Sequence, residues 1–94
     1  MIIKISECCG TFAENKDKAR DLREEKIKPA FSSSDEKITL DFSGVDSSTQ
    51  SFIHALISHF FQSYGEDALE RFDFKGCNKT IKSLITTVIN YSLE

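Results

Sequence analysis

The segment from Ile38 to Leu56, ITLDFSGVDSSTQSFIHAL, constrains the fold more than any other part of the chain. Its first residues alternate apolar and polar, with Ile38, Leu40 and Phe42 on one side, which is the pattern of a half-buried strand. A turn rich in Ser and Thr follows, and a strongly apolar helix begins directly after it. The segment therefore predicts a strand that leads, through a hydroxyl-rich turn, into the start of a buried helix.

Before this segment, the sequence predicts two short strands and a surface helix. Ile2–Ser6 and Cys8–Ala13 have strand-like patterns, the second turning at Gly10. Glu14–Lys28 carries charges of both signs, with acid-before-base pairs four residues apart that favour a helix. Pro29 disfavours helical angles at the residue before it, so we expect this helix to end there.

After the turn, the sequence predicts two helices with a strand between them. The central helix runs from about Ser48 to Tyr64, and Gly65 is its expected C-terminal cap. Glu66–Glu70 reads as an acidic linker or helical turn, and Arg71–Phe74 as a strand. Asn78 is the expected N-cap of the last helix.

This alternation predicts an α/β fold. Residues 1–94 are enough for one small domain, with about four strands in a mostly parallel or mixed sheet and three helices packed against it. In a domain of this size the eight Phe residues must supply much of the core volume.

Composition argues against several classes of function. The formal net charge of -3 disfavours nucleic acid as a partner, because phosphate binding needs a basic surface. No apolar run reaches membrane-spanning length and the first residues do not resemble a signal peptide, so we expect a cytoplasmic protein without a membrane role. The three Cys are an odd count and lack metal-ligand spacing. We expect no disulfide scaffold, no metal site and no cofactor.

The hydroxyl-rich turn has two interpretations. In the structural one, Ser47 is the N-cap of the central helix and Gln50, three residues later, completes a capping box that contributes about 1 kcal/mol. In the functional one, hydroxyls at the positive end of a helix form a phosphorylation site or a docking surface. The capping box explains one hydroxyl but not four.

The run Leu40-Asp41-Phe42-Ser43-Gly44-Val45 resembles the core motif of the STAS domain, the fold of bacterial anti-sigma-factor antagonists. In that family a Leu-Asp-Leu-Ser-Gly-Val-type strand leads to Asp-Ser-Ser-Gly-Leu at a helix start. The likeness covers nearly all of the chain. It is nearest to the group called STAS-like domains of unknown function, which share an Asp-Phe-x-Gly-Val run and a Ser-Phe pair, here Ser51-Phe52.

Two alignments of the phosphorylated motif are possible. With a gap, Asp46-Ser47-Ser48 matches Asp-Ser-Ser by letters. Without a gap, Thr49-Gln50-Ser51 takes that place. This alignment keeps the following helix in register with the helix of the family, and it makes Ser51 the equivalent of the regulatory serine. The ungapped alignment is preferred, although it replaces the motif's Asp and Gly by Thr49 and Phe52. The predicted docking or phosphorylation residues are Asp46, Ser47, Ser48, Thr49 and Ser51.

The resemblance implies a non-enzymatic regulatory domain that binds another protein in a bacterial signalling system. A protein with a histidine-kinase-like ATPase domain, or an anti-sigma-factor-like protein, is the partner class that it implies. The alternative is a small-ligand or nucleotide-binding module, because basic residues surround the start of the last helix. Its candidate residues are Lys75, Asn78, Lys79 and Lys82, with Arg71 nearby. An enzyme ranks last, since no nucleophile, acid–base set or metal site emerges.

Overall fold

The computed structural model describes all residues of the chain, 1–94. In chain order its elements are β1 (Ile2–Lys4), α1 (Ile5–Cys9), β2 (Phe12–Ala13), α2 (Lys16–Leu22), a π-helical segment (Arg23–Ile27), α3 (Lys28–Ser33), β3 (Ile38–Asp41), β4 (Ser47–Ser48), α4 (Gln50–Tyr64), α5 (Glu66–Arg71), β5 (Phe72–Lys75) and α6 (Lys79–Ser92).

The strands form two separate parallel sheets. The main sheet has the order β1-β3-β5, and β2 pairs with β4 in a sheet of its own. The predicted α/β class and the parallel strands are confirmed. The expected single sheet of about four strands and the count of three helices are not, because the short helices α1, α3 and α5 and the detached β2–β4 pair give no separate periodic signal in the sequence.

One face of the main sheet packs on the helices and forms the core. Ile3, Ile38, Leu40 and Phe72 point to this side and are buried, whereas Ile2 on the opposite side is 62% exposed. The alternation in β3 is therefore the half-buried pattern that the sequence predicted.

The prediction of a strand over Cys8–Ala13 is wrong for most of its length. The chain leaves β1 directly into α1, which ends at Gly10, where the N–H donates to the carbonyl of Ser6. Only Phe12 and Ala13 are extended. Short apolar runs of this kind do not distinguish a strand from a helical turn. For the same reason the predicted strand Ile2–Ser6 ends early, and its last two residues belong to α1.

The charged helix does not end at Pro29, contrary to the sequence prediction, but continues through the π-helical segment into α3. In the π-helical segment the N–H of Lys28 donates to the carbonyl of Arg23, five residues earlier. Pro29 is the second residue of α3, directly after the π-helical segment, and so lies inside this continuous helix and not at its end. The wider π-turn also brings Leu22 and Ile27, five positions apart, into the same core.

The central helix α4 is the most buried helix of the chain. Its buried residues are Phe52, Ile53, Leu56, Ile57, Ser58, Phe60 and Phe61. Gly65 ends it with a φ of 61°, and its N–H donates to the carbonyl of Phe61, as the sequence predicted. None of the helices combines the length and the apolar character that crossing a membrane requires.

The carboxyl ends of β3 and β5 meet closely, just before Asp46–Ser51, which we call the serine-rich segment. The N–H of Phe42 donates to the carbonyl of Lys75 at 2.7 Å. Gly76 follows with a φ of 70°, and a Cβ at that position would lie 2.7 Å from the backbone nitrogen of Ser43. Only glycine fits here without moving the backbone of the neighbouring strand end.

Candidate docking surface at the start of the central helix

The serine-rich segment is held extended by backbone hydrogen bonds to β2. The N–H groups of Asp46 and Ser47 donate to the carbonyl of Thr11, at 2.8 and 3.3 Å. The N–H of Thr49 donates to the carbonyl of Ala13 at 3.2 Å. The segment is thus a short strand, fixed before the helix begins, and not a free turn.

Thr49, and not Ser47, is the N-cap of α4, which begins at Gln50 and not at Ser48 as the sequence predicted. The Oγ1 of Thr49 accepts a hydrogen bond from the N–H of Phe52 at 3.1 Å. The predicted capping box fails because the pairing with β2 keeps Ser47 and Ser48 extended, a contact across 35 residues that no local pattern reveals.

The hydroxyls of the segment have different environments. Ser48 is half-buried and its Oγ donates to the carbonyl of Ala13 at 2.6 Å. Ser47 and Thr49 are also half-buried. Ser51, on the first turn of α4, is exposed, and its hydroxyl has no hydrogen-bond partner in the protein. The serine that the ungapped alignment selects, Ser51, is therefore the accessible one, whereas Ser48, which the gapped alignment selects, is already hydrogen-bonded.

Ser51 opens onto a shallow groove of about 460 Å³, which we call the Ser51 groove. A hydrogen bond of 2.7 Å joins Nδ1 of His54, one turn further along α4, to the hydroxyl of Tyr91 near the end of α6. Lys16, the first residue of α2, also lines the groove and takes part in none of the chain's ion pairs. The complete lining is Lys16, Gln50, Ser51, His54, Ala55 and Tyr91.

Sequence reasoning did not group these residues. His54 and His59 of α4 are both exposed. The spacing of three between Ser51 and His54 on one helix was the available signal, because residues so spaced lie on the same face. Lys16 and Tyr91 lie 35 and 40 positions away in sequence, so only the tertiary fold brings them to Ser51.

Asp41, the carboxylate of the STAS-like motif, lies at the end of β3 between Lys4 of β1 and Lys75 of β5. Its Oδ1 accepts a hydrogen bond from the N–H of Ser43 at 2.9 Å. Hydrogen bonds from the hydroxyl and the backbone of Ser43, and then the charges of Lys75 and Lys4, hold the pKa of Asp41 below its usual range. The side chain therefore stays ionised and stabilises the turn that leads to the docking surface.

The predicted anion-binding residues are not gathered into one site. Both polar groups of Asn78 are engaged: Oδ1 accepts from the N–H of Ile81 at 2.9 Å, which confirms the predicted cap, and Nδ2 donates to the carbonyl of Asp46 at 2.7 Å. Lys79 and Lys82 line a shallow groove on α6 that does not include Lys75.

Arg71 lies outside this basic group. It ends α5, and its guanidinium donates to the carbonyl of Phe31 in α3 and to the carbonyls of Ser34 and Glu36 just after α3. The sequence suggested a place near the start of the last helix because Arg71 is only four positions before Lys75. A strand of that length spans more than 10 Å, which carries Arg71 to the opposite end of the sheet.

The cysteines form neither a disulfide nor part of a metal cluster. Cys8, Cys9 and Cys77 are free and half-buried, and no three His, Cys, Asp or Glu side chains converge as metal ligands would. Burial, followed by the neighbouring Cys8, raises the pKa of the Cys9 thiol to about 12. Burial also raises the pKa of Cys77. Both thiols are therefore protonated at neutral pH and chemically quiet.

A family model described as "STAS-like domain of unknown function (DUF4325)" matches residues 18–82, more than half of the chain. The matched region runs from α2 to the first turn of α6 and includes all of the serine-rich segment. No curated protein and no solved structure gives a significant match.

Proposed function

Since the chain belongs to the family of STAS-like domains of unknown function, we propose that it is a non-enzymatic regulatory module that binds another protein through the start of its central helix. The docking surface consists of Asp46–Ser51 together with the exposed edge of α4 that carries His54. The partner class that the STAS resemblance favours is a protein with a histidine-kinase-like ATPase domain, or an anti-sigma-factor-like protein, of a bacterial signalling system.

The observation that carries this proposal is the state of Ser51. Its hydroxyl is exposed and unbonded, yet its backbone lies on a helix that is anchored by the Thr49 cap and by the β2–β4 pairing. A side chain that is rigidly placed and unused inside the fold is available to a partner or a kinase without any cost in unfolding.

An exposed aromatic side chain lies next to the same surface. Phe12 pairs with Ser47 across the β2–β4 sheet and is 48% exposed. Large aromatic side chains contribute much of the binding energy at protein interfaces when a partner covers them. Phe12 therefore supplies the apolar contact of the docking surface, and the neighbouring hydroxyls supply its polar part.

Phosphorylation of Ser51 would switch the surface. In that step the Ser51 Oγ attacks the γ-phosphorus of ATP, a P–O ester bond forms, ADP leaves, and a base of the kinase takes the hydroxyl proton. The phosphate adds about -1.5 to -2 charges at pH 7. On the first turn of α4 this charge is compatible with the helix dipole, so the domain stays folded and the effect falls on the partner.

The test is capture of partners from the native lysate by immobilised protein. We expect wild type to retain a partner that Ser51→Asp and Phe12→Ala both lose. Ser63→Asp is the matched control, because Ser63 is an exposed serine on the same helix, far from the docking surface. Identical partner lists for wild type and Ser51→Asp would refute the switch, and retention by Phe12→Ala would refute the docking surface.

A second candidate function is the binding of a small anionic ligand or a nucleotide. Its support is the groove on α6 lined by Lys79, Lys82, Ser83, Thr86 and Thr87. Titration with ATP, GTP and inorganic phosphate, followed by amide NMR shifts, tests it. Saturable shifts confined to Lys79–Thr87 would support this function, and shifts that scale only with ionic strength would refute it.

A further inference from the structure

We propose that Lys16 and His54 form the receiving site for a phosphate ester on Ser51, and that the phosphate displaces Tyr91 from His54. This inference rests on the proposed function, in which Ser51 is phosphorylated, and it adds the groups that would hold the phosphate and the contact that would change.

The first support is the composition of the Ser51 groove. Its only ionisable side chains are Lys16, His54 and Tyr91, and no carboxylate lines it. In a chain with 15 Asp and Glu against 12 Lys and Arg, a groove that holds a lysine and a histidine but no acid has a local charge opposite to that of the whole protein. An anion on Ser51 would meet complementary charge there.

The second support is that Lys16 has no internal partner. Two other charged residues of α2 do pair with each other: Nη2 of Arg20 lies 3.1 Å from Oδ1 of Asp17. Lys16 has no carboxylate within ion-pair distance and makes no side-chain hydrogen bond, although it lies beside the accessible serine. A phosphate on Ser51 would be its first charged partner, and the ammonium would lose no existing bond.

The third support is the bond between His54 and Tyr91. At 2.7 Å it ties α4 to the end of α6 through two side chains that both line the groove. A phosphate dianion is a stronger acceptor than a phenol, and a protonated imidazole donates to it more strongly than to Tyr91. Phosphorylation would therefore exchange the Tyr91 contact for a phosphate contact and transmit the change from α4 to the last turn of α6.

The backbone contributes as well. The N–H groups of Gln50 and Ser51 precede the first intrahelical hydrogen bond of α4, which is donated by Ile53 to the carbonyl of Thr49. They add to the positive field at the phosphate but are the same in every side-chain variant. Side-chain substitutions therefore separate the receiving site from the general effect of a helix N-terminus.

The experiment installs phosphoserine at position 51 by genetic-code expansion and follows its second ionisation by ³¹P NMR. The second pKa of a phosphomonoester is about 6, and nearby cations lower it. We expect Lys16→Met and His54→Gln each to weaken the phosphate acidity by about threefold, an upward shift of about 0.5 pKa unit. Lys26→Met and His59→Gln are the matched controls, since both residues are exposed and lie outside the groove.

The second readout is the hydrogen bond to Tyr91. Long-range ¹H–¹⁵N spectra of His54 and the ring signals of Tyr91 should change when phosphoserine replaces Ser51, and Tyr91→Phe should leave the phosphate pKa unchanged or slightly lower. Equal phosphate pKa values in wild type, Lys16→Met and His54→Gln would overturn the receiving site. Unchanged His54 and Tyr91 signals would overturn the exchange of contacts.

The two failures are distinguishable. Phosphoserine is installed without a kinase and measured without a partner, so these readouts report only the local site. Absence of a partner in the lysate would refute the proposed function and leave this result standing, whereas a flat set of phosphate pKa values would refute the receiving site alone.

Discussion

Arg71 and Ser51 mark two polar regions of this small domain that differ in how their donors are used. The guanidinium of Arg71 donates from Nε to the carbonyl of Glu36, from Nη1 to Phe31 and from Nη2 to Ser34, at 3.1, 3.3 and 2.7 Å. It also lies 4.3 Å from the ring centroid of Phe31. We call this arrangement the Arg71 clamp.

The Ser51 groove has the opposite character. The hydroxyl of Ser51 has no bond in the protein, and Lys16 has no carboxylate partner. A polar group committed to backbone carbonyls holds two segments together, and a polar group that is exposed and uncommitted is free to meet a ligand. Substitutions at Arg71 should therefore lower stability more than binding, and substitutions in the Ser51 groove should change binding more than stability.

The largest expected effect on stability is at Arg71. Arg71→Ala removes three charge-assisted hydrogen bonds and the contact with the Phe31 ring, and we expect a loss of about 2 kcal/mol in the free energy of unfolding, measured with urea. Arg20→Ala is the matched control, because the Arg20–Asp17 pair is exposed on both sides and should contribute less than about 0.5 kcal/mol.

Arg71→Lys tests whether geometry or charge matters in the clamp. A lysine ammonium cannot reproduce the planar fork that reaches three carbonyls, so most of the loss should remain. Full recovery of stability by lysine would show that the clamp is only a favourable charge, and the contrast with the Ser51 groove would be lost.

The next largest loss of stability is expected at Asn78, because both the oxygen and the nitrogen of its amide are hydrogen-bonded. Asn78→Ala loses the cap of α6 and the bond to the carbonyl of Asp46, for about 1.5 kcal/mol in all. Asn78→Asp keeps the acceptor for the N–H of Ile81 and loses only the donor, so it should recover at least half. If Asn78→Ala were as stable as wild type, the two hydrogen bonds of Asn78 would contribute nothing to the stability of the fold.

Thr49 comes third, and it separates the observed cap from the one that the sequence suggested. Thr49→Ala should cost about 1 kcal/mol, since the N–H of Phe52 loses its acceptor, and Thr49→Ser should cost little. Ser47→Ala should be nearly neutral. A larger loss at Ser47 than at Thr49, in the same urea series, would restore the capping box and contradict the start of α4 at Gln50.

These residues also show how far the sequence leads. The strand of Ile38, Leu40 and Phe42 and the caps Gly65 and Asn78 follow from local patterns, because alternation and helix-end chemistry act within a few residues. Ser51, which the ungapped alignment selects, is exposed in the structure, and its regulatory role stays a prediction.

Two other features depend on contacts that local patterns do not encode. Ser47 and Ser48 looked like the end of a turn but are extended because β2, 35 residues earlier, supplies their hydrogen-bond partners. Pro29 looked like a helix end but is the second residue of α3, because the helix continues through the π-helical segment that precedes it. Tertiary packing decided both cases.

Ser92 belongs to neither kind of polar group. It is 4% exposed, and its Oγ has no hydrogen-bond partner. Burying a hydroxyl without a partner costs free energy, so Ser92→Ala should raise the free energy of unfolding by about 0.5 kcal/mol. Ser83→Ala, on the exposed side of the same helix, is the control for the change in helix propensity. A loss of stability at Ser92 beyond the control would mean that its hydroxyl is bonded.

The smallest effect on stability should occur at Ser51 itself, and it is the most demanding test of the comparison. Ser51→Ala removes a hydroxyl that bonds to nothing in the protein, and alanine is the better helix former, so unfolding should change by less than about 0.3 kcal/mol. Capture of the partner by Ser51→Ala, in contrast, should no longer depend on phosphorylation, because this variant has no hydroxyl at position 51. If Ser51→Ala instead destabilised the fold as much as Thr49→Ala does, the hydroxyl would be structural, and the accessible serine would no longer distinguish the docking surface from the rest of the chain.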